Sequence, residues 1–228
     1  MVARALDHVA LWVDDRDALA SVLISCCGMH EIERTEDFTL VGGDARRGKL
    51  TLFEAPGPRD RGRLERVVLR VPALADTRAC LEASGLTVDD VDGGMMVLDA
   101  PSGLPLGLVE AGTNESGDLD RVSLRVVDPA AAAAKLESMG LERLGDDLRV
   151  ADKRLILREG ADGDSERPLL NHLGLLVDET SAVEDESRER GLQIDRVVDA
   201  ANTRAVFVHG PDGILVEFVE HKPGFSLV

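Results

Sequence analysis

Four segments of this chain can be laid over one another: Leu6-Asp7-His8-Val9-Ala10-Leu11-Trp12-Val13, Leu64-Glu65-Arg66-Val67-Val68-Leu69-Arg70-Val71, Leu119-Asp120-Arg121-Val122-Ser123-Leu124-Arg125-Val126, and Leu170-Asn171-His172-Leu173-Gly174-Leu175-Leu176-Val177. The alternation within each predicts a strand. Each is followed by a stretch with apolar spacing of three and four, such as Thr77 to Ala83 or Ala130 to Met139, which stops at a glycine: Gly28, Gly85, Gly140 and Gly191. Glycine just past the last turn is the expected helix stop. Three short strand candidates come next, and the last of them ends each time in an apolar run and a glutamate: Leu50 to Glu54, Leu106 to Glu110, Leu155 to Glu159 and Leu215 to Glu220.

The unit therefore reads β-α-β-β-β, over residues 1–57, 63–112, 118–160 and 168–224. The segments between, Pro56 to Arg63, Gly112 to Asp118 and Gly160 to Pro168, are rich in Gly, Pro, Asp, Arg and Ser and read as linkers. One sheet with one helix cannot bury both its faces alone. The expected class is α+β, with four βαβββ modules paired into two cupped mixed sheets and the helices outside.

Composition narrows the function. The 228 residues include 26 Lys or Arg and 43 Asp or Glu, a formal charge of −17, with 44% hydrophobic residues, five Phe, one Trp and no Tyr. Such a chain has an ordinary core, but its charge repels phosphate backbones and anionic membrane surfaces, and it has little aromatic surface for stacking on bases. A small-molecule partner is expected, with neither nucleic acid nor membrane, and a monomer or homodimer. No apolar run approaches the ~18 residues of a membrane span, and Met1 to Leu11 lacks a basic region followed by an apolar stretch, so a cytoplasmic protein is expected. Cys26, Cys27 and Cys80 are odd in number and lack metal-site spacing. That suits reduced thiols in a reducing compartment, Cys26 and Cys27 packing in a helix.

The repeat and two motifs resemble the vicinal oxygen chelate superfamily, which includes glyoxalase I, extradiol ring-cleaving dioxygenases, fosfomycin resistance proteins and methylmalonyl-CoA epimerase. The motifs are Leu6-Asp7-His8-Val9-Ala10-Leu11-Trp12-Val13-Asp14-Asp15 and Gly210-Pro211-Asp212-Gly213-Ile214-Leu215-Val216-Glu217-Phe218-Val219-Glu220-His221. The second is similar to the family's turn and final strand, and the resemblance implies that Glu217, four residues after Gly213, binds metal. Gly210 replaces the first Asp of the commoner Asp-Pro-Asp-Gly turn.

The residues read by themselves agree. Leu6, His8, Ala10 and Trp12 share one strand face and Val9, Leu11 and Val13 the other, so His8 points into the cup. His172 and Gly174 repeat this in the fourth module, above Leu173, Leu175 and Val177. Glu217 sits between Val216 and Phe218, where an enclosed carboxylate needs a compensating charge. Two imidazoles and a carboxylate form a facial ligand set that favours Fe(II) and also suits Mn, Ni, Co or Zn, so one divalent ion is the expected cofactor. Metal bonds of about 2 Å require His8 and His172 to converge, which pairs module one with module four and module two with module three.

Modules two and three carry Arg66 and Arg121 at the histidine positions and Gly107 and Ile156 at the glutamate position, so no metal is expected there. The arginines are expected to form salt bridges. Glu54, Glu110, Glu159 and Glu220 recur at the strand ends, which suggests structure. Glu54 is the exception, because a one-residue gap would place it opposite Glu217 as a fourth ligand or base, where the ungapped alignment puts Thr51.

The expectation is a divalent-metal-dependent enzyme acting on a small substrate with adjacent oxygens, most of all an oxidoreductase like the extradiol dioxygenases. Those enzymes usually have a tyrosine ten residues before the glutamate ligand; here that position is Phe207. His209, at the edge of the turn, and His221, past the last strand, are candidate substitutes. The alternatives are a glyoxalase- or epimerase-like isomerase or lyase using Glu54 as base, and a non-catalytic small-molecule binding (resistance) protein. Trp12 and Phe207, with Phe38, Met95 and Met96, are the candidate pocket residues.

Overall fold

The computed structural model describes residues 1–111, 117–160 and 165–227. The linkers Gly112 to Asp118 and Gly160 to Pro168 thus lie partly outside the described residues.

The first unit is β1 (Ala5–Val13), α1 (Arg16–Cys27), β2 (His30–Arg34), β3 (Phe38–Gly42) and β4 (Lys49–Glu54). The second is β5 (Leu64–Val71), α2 (Leu74–Ala83), β6 (Val88–Val91), β7 (Gly94–Val97) and β8 (Leu106–Glu110). The third is β9 (Asp118–Val126), α3 (Pro129–Ser138), β10 (Glu142–Leu144), β11 (Asp147–Val150) and β12 (Lys153–Glu159). The fourth is β13 (Leu170–Leu176), α4 (Thr180–Glu189), β14 (Ile194–Asp199), β15 (Thr203–His209) and β16 (Leu215–His221).

Two eight-stranded mixed sheets result, in the orders β14-β15-β16-β13-β1-β4-β3-β2 and β10-β11-β12-β9-β5-β8-β7-β6. One sheet is thus made by the first and fourth units and the other by the second and third. The seam of each is the antiparallel pair of leading strands, β1 with β13 and β5 with β9. From these seam strands Val9, Leu11, Val67, Leu69, Val122, Leu124, Leu173 and Leu175 bury their side chains in one continuous core with Leu19, Leu23, Leu81 and Leu136 of the helices.

The local signals have physical counterparts. Asp15 caps α1 by accepting from the Ala18 N–H at 2.9 Å, and Gly28 ends it at φ 75°, a left-handed conformation that costs glycine little. Two of the four recurrent strand-end glutamates, Glu110 and Glu220, are also explained. Neither α2 nor α4 is capped by its own N-cap side chain. Instead Glu110 accepts from the Leu74 N–H at 3.0 Å, and Glu220 from the N–H and hydroxyl of Thr180, both at 2.9 Å. A carboxylate at a helix start satisfies an orphan donor and complements the dipole.

Two expectations need correction. Strand β1 does not alternate without interruption: its pairing with β13 slips between Leu6 and His8 and again between Ala10 and Leu11, so that Asp7 and Asn171 are extra residues in the ladder. The first bulge turns Leu6 away from the His8 face and into the core with Leu173, Leu175 and Val216. The second concerns the cysteines. Cys26 of α1 and Cys80 of α2 form a disulfide. The two lie 54 residues apart, and packing of α1 against α2 brings their Cα atoms to 5.5 Å, so no local spacing announces the bond. Cys27 remains a free, buried thiol, its pKa pushed up to about 12 by burial. Among the described residues no helix is long and apolar enough to cross a membrane.

Candidate metal centre

Register builds the site. His8 pairs with Gly174 across the seam, and Gly174 pairs with Glu217 on β16, so the histidine and the carboxylate flank a residue without a side chain. His172 stands two residues before Gly174 on the same face and pairs with Ala10. The Nε2 atoms of His8 and His172 lie 2.9 Å apart, and Glu217 Oε2 lies 3.0 Å from the first and 2.7 Å from the second. All three residues are buried.

The bulges supply what orients them. Asp7 Oδ2 lies 2.8 Å from His8 Nδ1, and Asn171 Oδ1 lies 3.0 Å from His172 Nδ1. Both amide and carboxylate oxygens are acceptors, which assigns a proton of each ring to Nδ1 and leaves both Nε2 atoms facing Glu217, each able to offer a lone pair once unprotonated. The second sheet has bulges at the equivalent Glu65 and Asp120, one residue before Arg66 and Arg121. There the acid serves an arginine instead, with Arg121 donating to Asp120 at 2.6 Å, while the Nε of Arg66 makes no hydrogen bond.

Charge follows the same arrangement. Burial opposes a positive His8, yet Glu217 and Asp7 outweigh it and raise its pKa to about 9. Burial keeps His172 low, helped by the charge on His8. Although burial would raise Glu217, the two imidazoles draw it down to about 2. Asp7 is likewise held below the usual carboxylate range against its burial, by Lys49, His221 and His8. Two ring nitrogens and a carboxylate oxygen converging within 3.0 Å are a donor set that a divalent cation fits, since without one a proton must stand between them.

The three ligands open on a cavity of about 440 Å³ whose walls include Phe38, Leu40, Phe53, Phe207, Val219 and Phe225. Asp7, Lys49, Thr51, Glu33 and His221 add polar groups to the lining. Lys49 is already engaged, donating to Asp7 at 2.9 Å and to the Ala45 carbonyl at 2.7 Å. Phe207 stands edge-on to His172 with ring centres 5.1 Å apart.

Other candidates lie elsewhere. Glu54 ends β4 with its side chain 61% exposed and 3.6 Å from Arg16, outside the cavity lining, whereas Thr51 is within it. His209 faces Asp195 at 3.6 Å, also outside the lining. Trp12 packs on Phe53 at 5.3 Å without reaching the lining itself, and Met95 and Met96 belong to β7 in the other sheet. Sequence reasoning missed Asp7, Asn171 and Lys49. The first two had a signal, since each histidine follows directly on a residue whose oxygen can hold a ring N–H; the bulges hid it, because strict alternation puts neighbours on opposite faces.

No protein-family model and no curated protein sequence matches the chain. Solved structures do resemble it. A Bacillus subtilis subsp. subtilis str. 168 protein provisionally named a dioxygenase has a TM-score of 0.78 at 20% identity, covering 98% of this chain and 87% of its own. Glyoxalase I from Zea mays gives 0.73 at 18% identity, over 95% and 92% of the two chains. The cppA protein of Streptococcus pneumoniae TIGR4 gives 0.63 at 13% identity, over 96% and 100%. At these identities the likeness is one of fold.

Proposed function

On the premise that this chain carries the vicinal oxygen chelate fold, we propose that it is a divalent-metal-dependent enzyme acting on a small substrate with adjacent oxygens, by extradiol-dioxygenase-like chemistry. The observation that carries this reading is the convergence of His8, His172 and Glu217 within 3.0 Å on the wall of a largely apolar cavity. Fe(II) is the favoured ion, with Mn, Ni, Co and Zn as alternatives that the same ligands accept. Bound there, the ion would supply Lewis acidity and open positions for two neighbouring oxygens. The chain supplies the rest: Asp7 and Asn171 fix the ligand rings, Phe38, Phe53 and Phe207 wall off water and contact a ring, and Thr51 offers a hydroxyl.

The position of Glu54 separates this from the isomerase or lyase reading. The lining carries Asp7, Glu33 and Glu217 against Lys49, whose ammonium is already engaged. With a divalent ion bound, its two positive charges and that of Lys49 balance these three carboxylates, so the cavity is close to neutral. Glu54, the base that reading relied on, faces solvent beside Arg16.

The test is anaerobic reconstitution with Fe(II), metal analysis, and oxygen uptake on a panel of uncharged catechols. The expected result is one Fe per chain, uptake with a yellow ring-opened product, and loss of both in His172→Ala. Stoichiometric metal without uptake across the panel would overturn the dioxygenase reading. A protein that holds no metal would leave small-molecule binding as its role.

A further inference from the structure

The chain contains no tyrosine, so a diol bound in this cavity needs another group to receive its proton. On β16 the alternation places Glu217, Val219 and His221 on one face, and all three line the cavity. The His221 side chain is only 8% exposed. Its Nε2 lies 3.1 Å from Asp7 Oδ1, off the line of a good hydrogen bond, and has no other partner among the described residues. No hydrogen bond engages its Nδ1 among the described residues. One face of the ring stacks on Phe225 at 4.1 Å and 15°, and Arg46 lies 5.1 Å from the Phe225 ring.

A buried imidazole that faces a carboxylate with one nitrogen and leaves the other free is an arrangement for moving a proton. Hydrogen bonds of such pairs are often poorly aligned before substrate binds. The other nitrogen bases of the lining are occupied: Lys49 by Asp7 and Ala45, His8 and His172 by Glu217 and their own orienting oxygens.

We propose that His221 is a catalytic residue, the group that accepts a proton from a hydroxyl of the substrate, with Asp7 holding the imidazolium that results. The inference rests on the diol reading given above. In the step, the O–H bond of the substrate breaks, its electron pair stays on oxygen, and an N–H bond forms at Nδ1. The Nε2–H faces Asp7, so the new positive charge lies beside a carboxylate that already orients His8 through its other oxygen. Ligand ring and proton acceptor thus share one buried acid.

The test follows protons instead of turnover. Zinc-loaded protein is titrated calorimetrically with 4-nitrocatechol in buffers of different ionisation enthalpy, which counts the protons released on binding. Wild type is expected to keep one proton that His221→Gln releases to buffer, while zinc stoichiometry is the same in both. His221→Asn serves if the glutamine variant does not fold. Equal release in wild type and variant, with the probe bound in both, would overturn the role of His221 and leave the diol reading standing. Failure of zinc-loaded wild type to bind the probe would overturn the diol reading and this proposal with it.

Discussion

His8 lies against Gly174, in the space where any other residue would carry its Cβ: an added Cβ would stand 2.8 Å from Nε2 and closer still to Nδ1 and Cε1. The two are cross-strand partners in a row that runs Lys49, His8, Gly174, Glu217, Phe207 over five adjacent strands. Because the gap at Gly174 is what lets His8 and Glu217 meet, Gly174→Ala should displace the imidazole. Its backbone lies in an ordinary strand, so the effect should fall on the site. Metal affinity is expected to drop tenfold or more, about 1.4 kcal/mol, as judged from the loss of an outer contact that orients a ligand. A zinc or cobalt titration of the variant checks it; wild-type affinity would show that His8 has another position from which to bind.

Asn171 and Asp7 hold their histidines alike but differ in what else depends on them. Asn171 is only half-buried where it contacts His172, so Asn171→Ala should lower metal affinity about 10- to 100-fold with little change in metal-free melting. Asp7 also answers the buried ammonium of Lys49, and Asp7→Asn strands that charge. Breaking one side of a buried pair costs about 3–5 kcal/mol, so this variant should lose both affinity and stability. Denaturant melts beside metal titrations separate the two. Equal stability losses would mean that Lys49 finds a new partner.

Much of this was legible because the chain states its pattern four times. The leading strands, the helix stops and the strand-end glutamates repeat at matched positions, and the histidines stand in the first and fourth copies only. Since β1 and β13 form the seam of one sheet, those two copies are the ones that can bring imidazoles together. What was not legible depends on departures from period two. The bulges at Asp7 and Asn171 are set by pairing across the seam, which no single strand reveals. Glu54 is one residue past the buried run Lys49 to Leu52 and Phe53, and the strand end turns it to Arg16. The reach of His221 into the cavity rests on Phe225, which returns over the ring after a turn closed by the Phe225 N–H on the Lys222 carbonyl.

The Cys26–Cys80 bond ties a helix of the first unit to one of the second, and so one sheet to the other. With its ends 54 positions apart in the chain, loop-closure entropy puts its contribution at up to about 4 kcal/mol. Reduction or Cys80→Ser should therefore lower the melting temperature without removing the metal ligands. Alkylation of denatured protein should find one thiol before reduction, Cys27, and three after it. Three thiols in protein purified without reductant would show the two cysteines to be merely neighbours under those conditions.

Proton and metal compete for His8, and the sign of the competition follows from its shift. In the metal-free protein the His8 pKa is raised from 6.5 to about 9. The stability that this pairing contributes is fully present below about 6.5 and is lost as pH rises through 9, so metal-free protein should melt at falling temperature across that window. Glu217 acts at the other end: depressed from 4.5 to about 2, its contribution is present above 4.5 and lost as pH falls through 2. A metal ion needs His8 without its Nε2 proton, so its affinity should run opposite to the first trend. Between pH 6.5 and 8.5 each unit should strengthen apparent binding about tenfold, the slope for one displaced proton, and the stabilisation by a fixed metal concentration should grow accordingly. Melting curves with and without cobalt at three pH values in that range measure both trends at once. A flat affinity would mean that His8 is already deprotonated at pH 6.5, and that Glu217 and Asp7 do not hold its proton in the metal-free site.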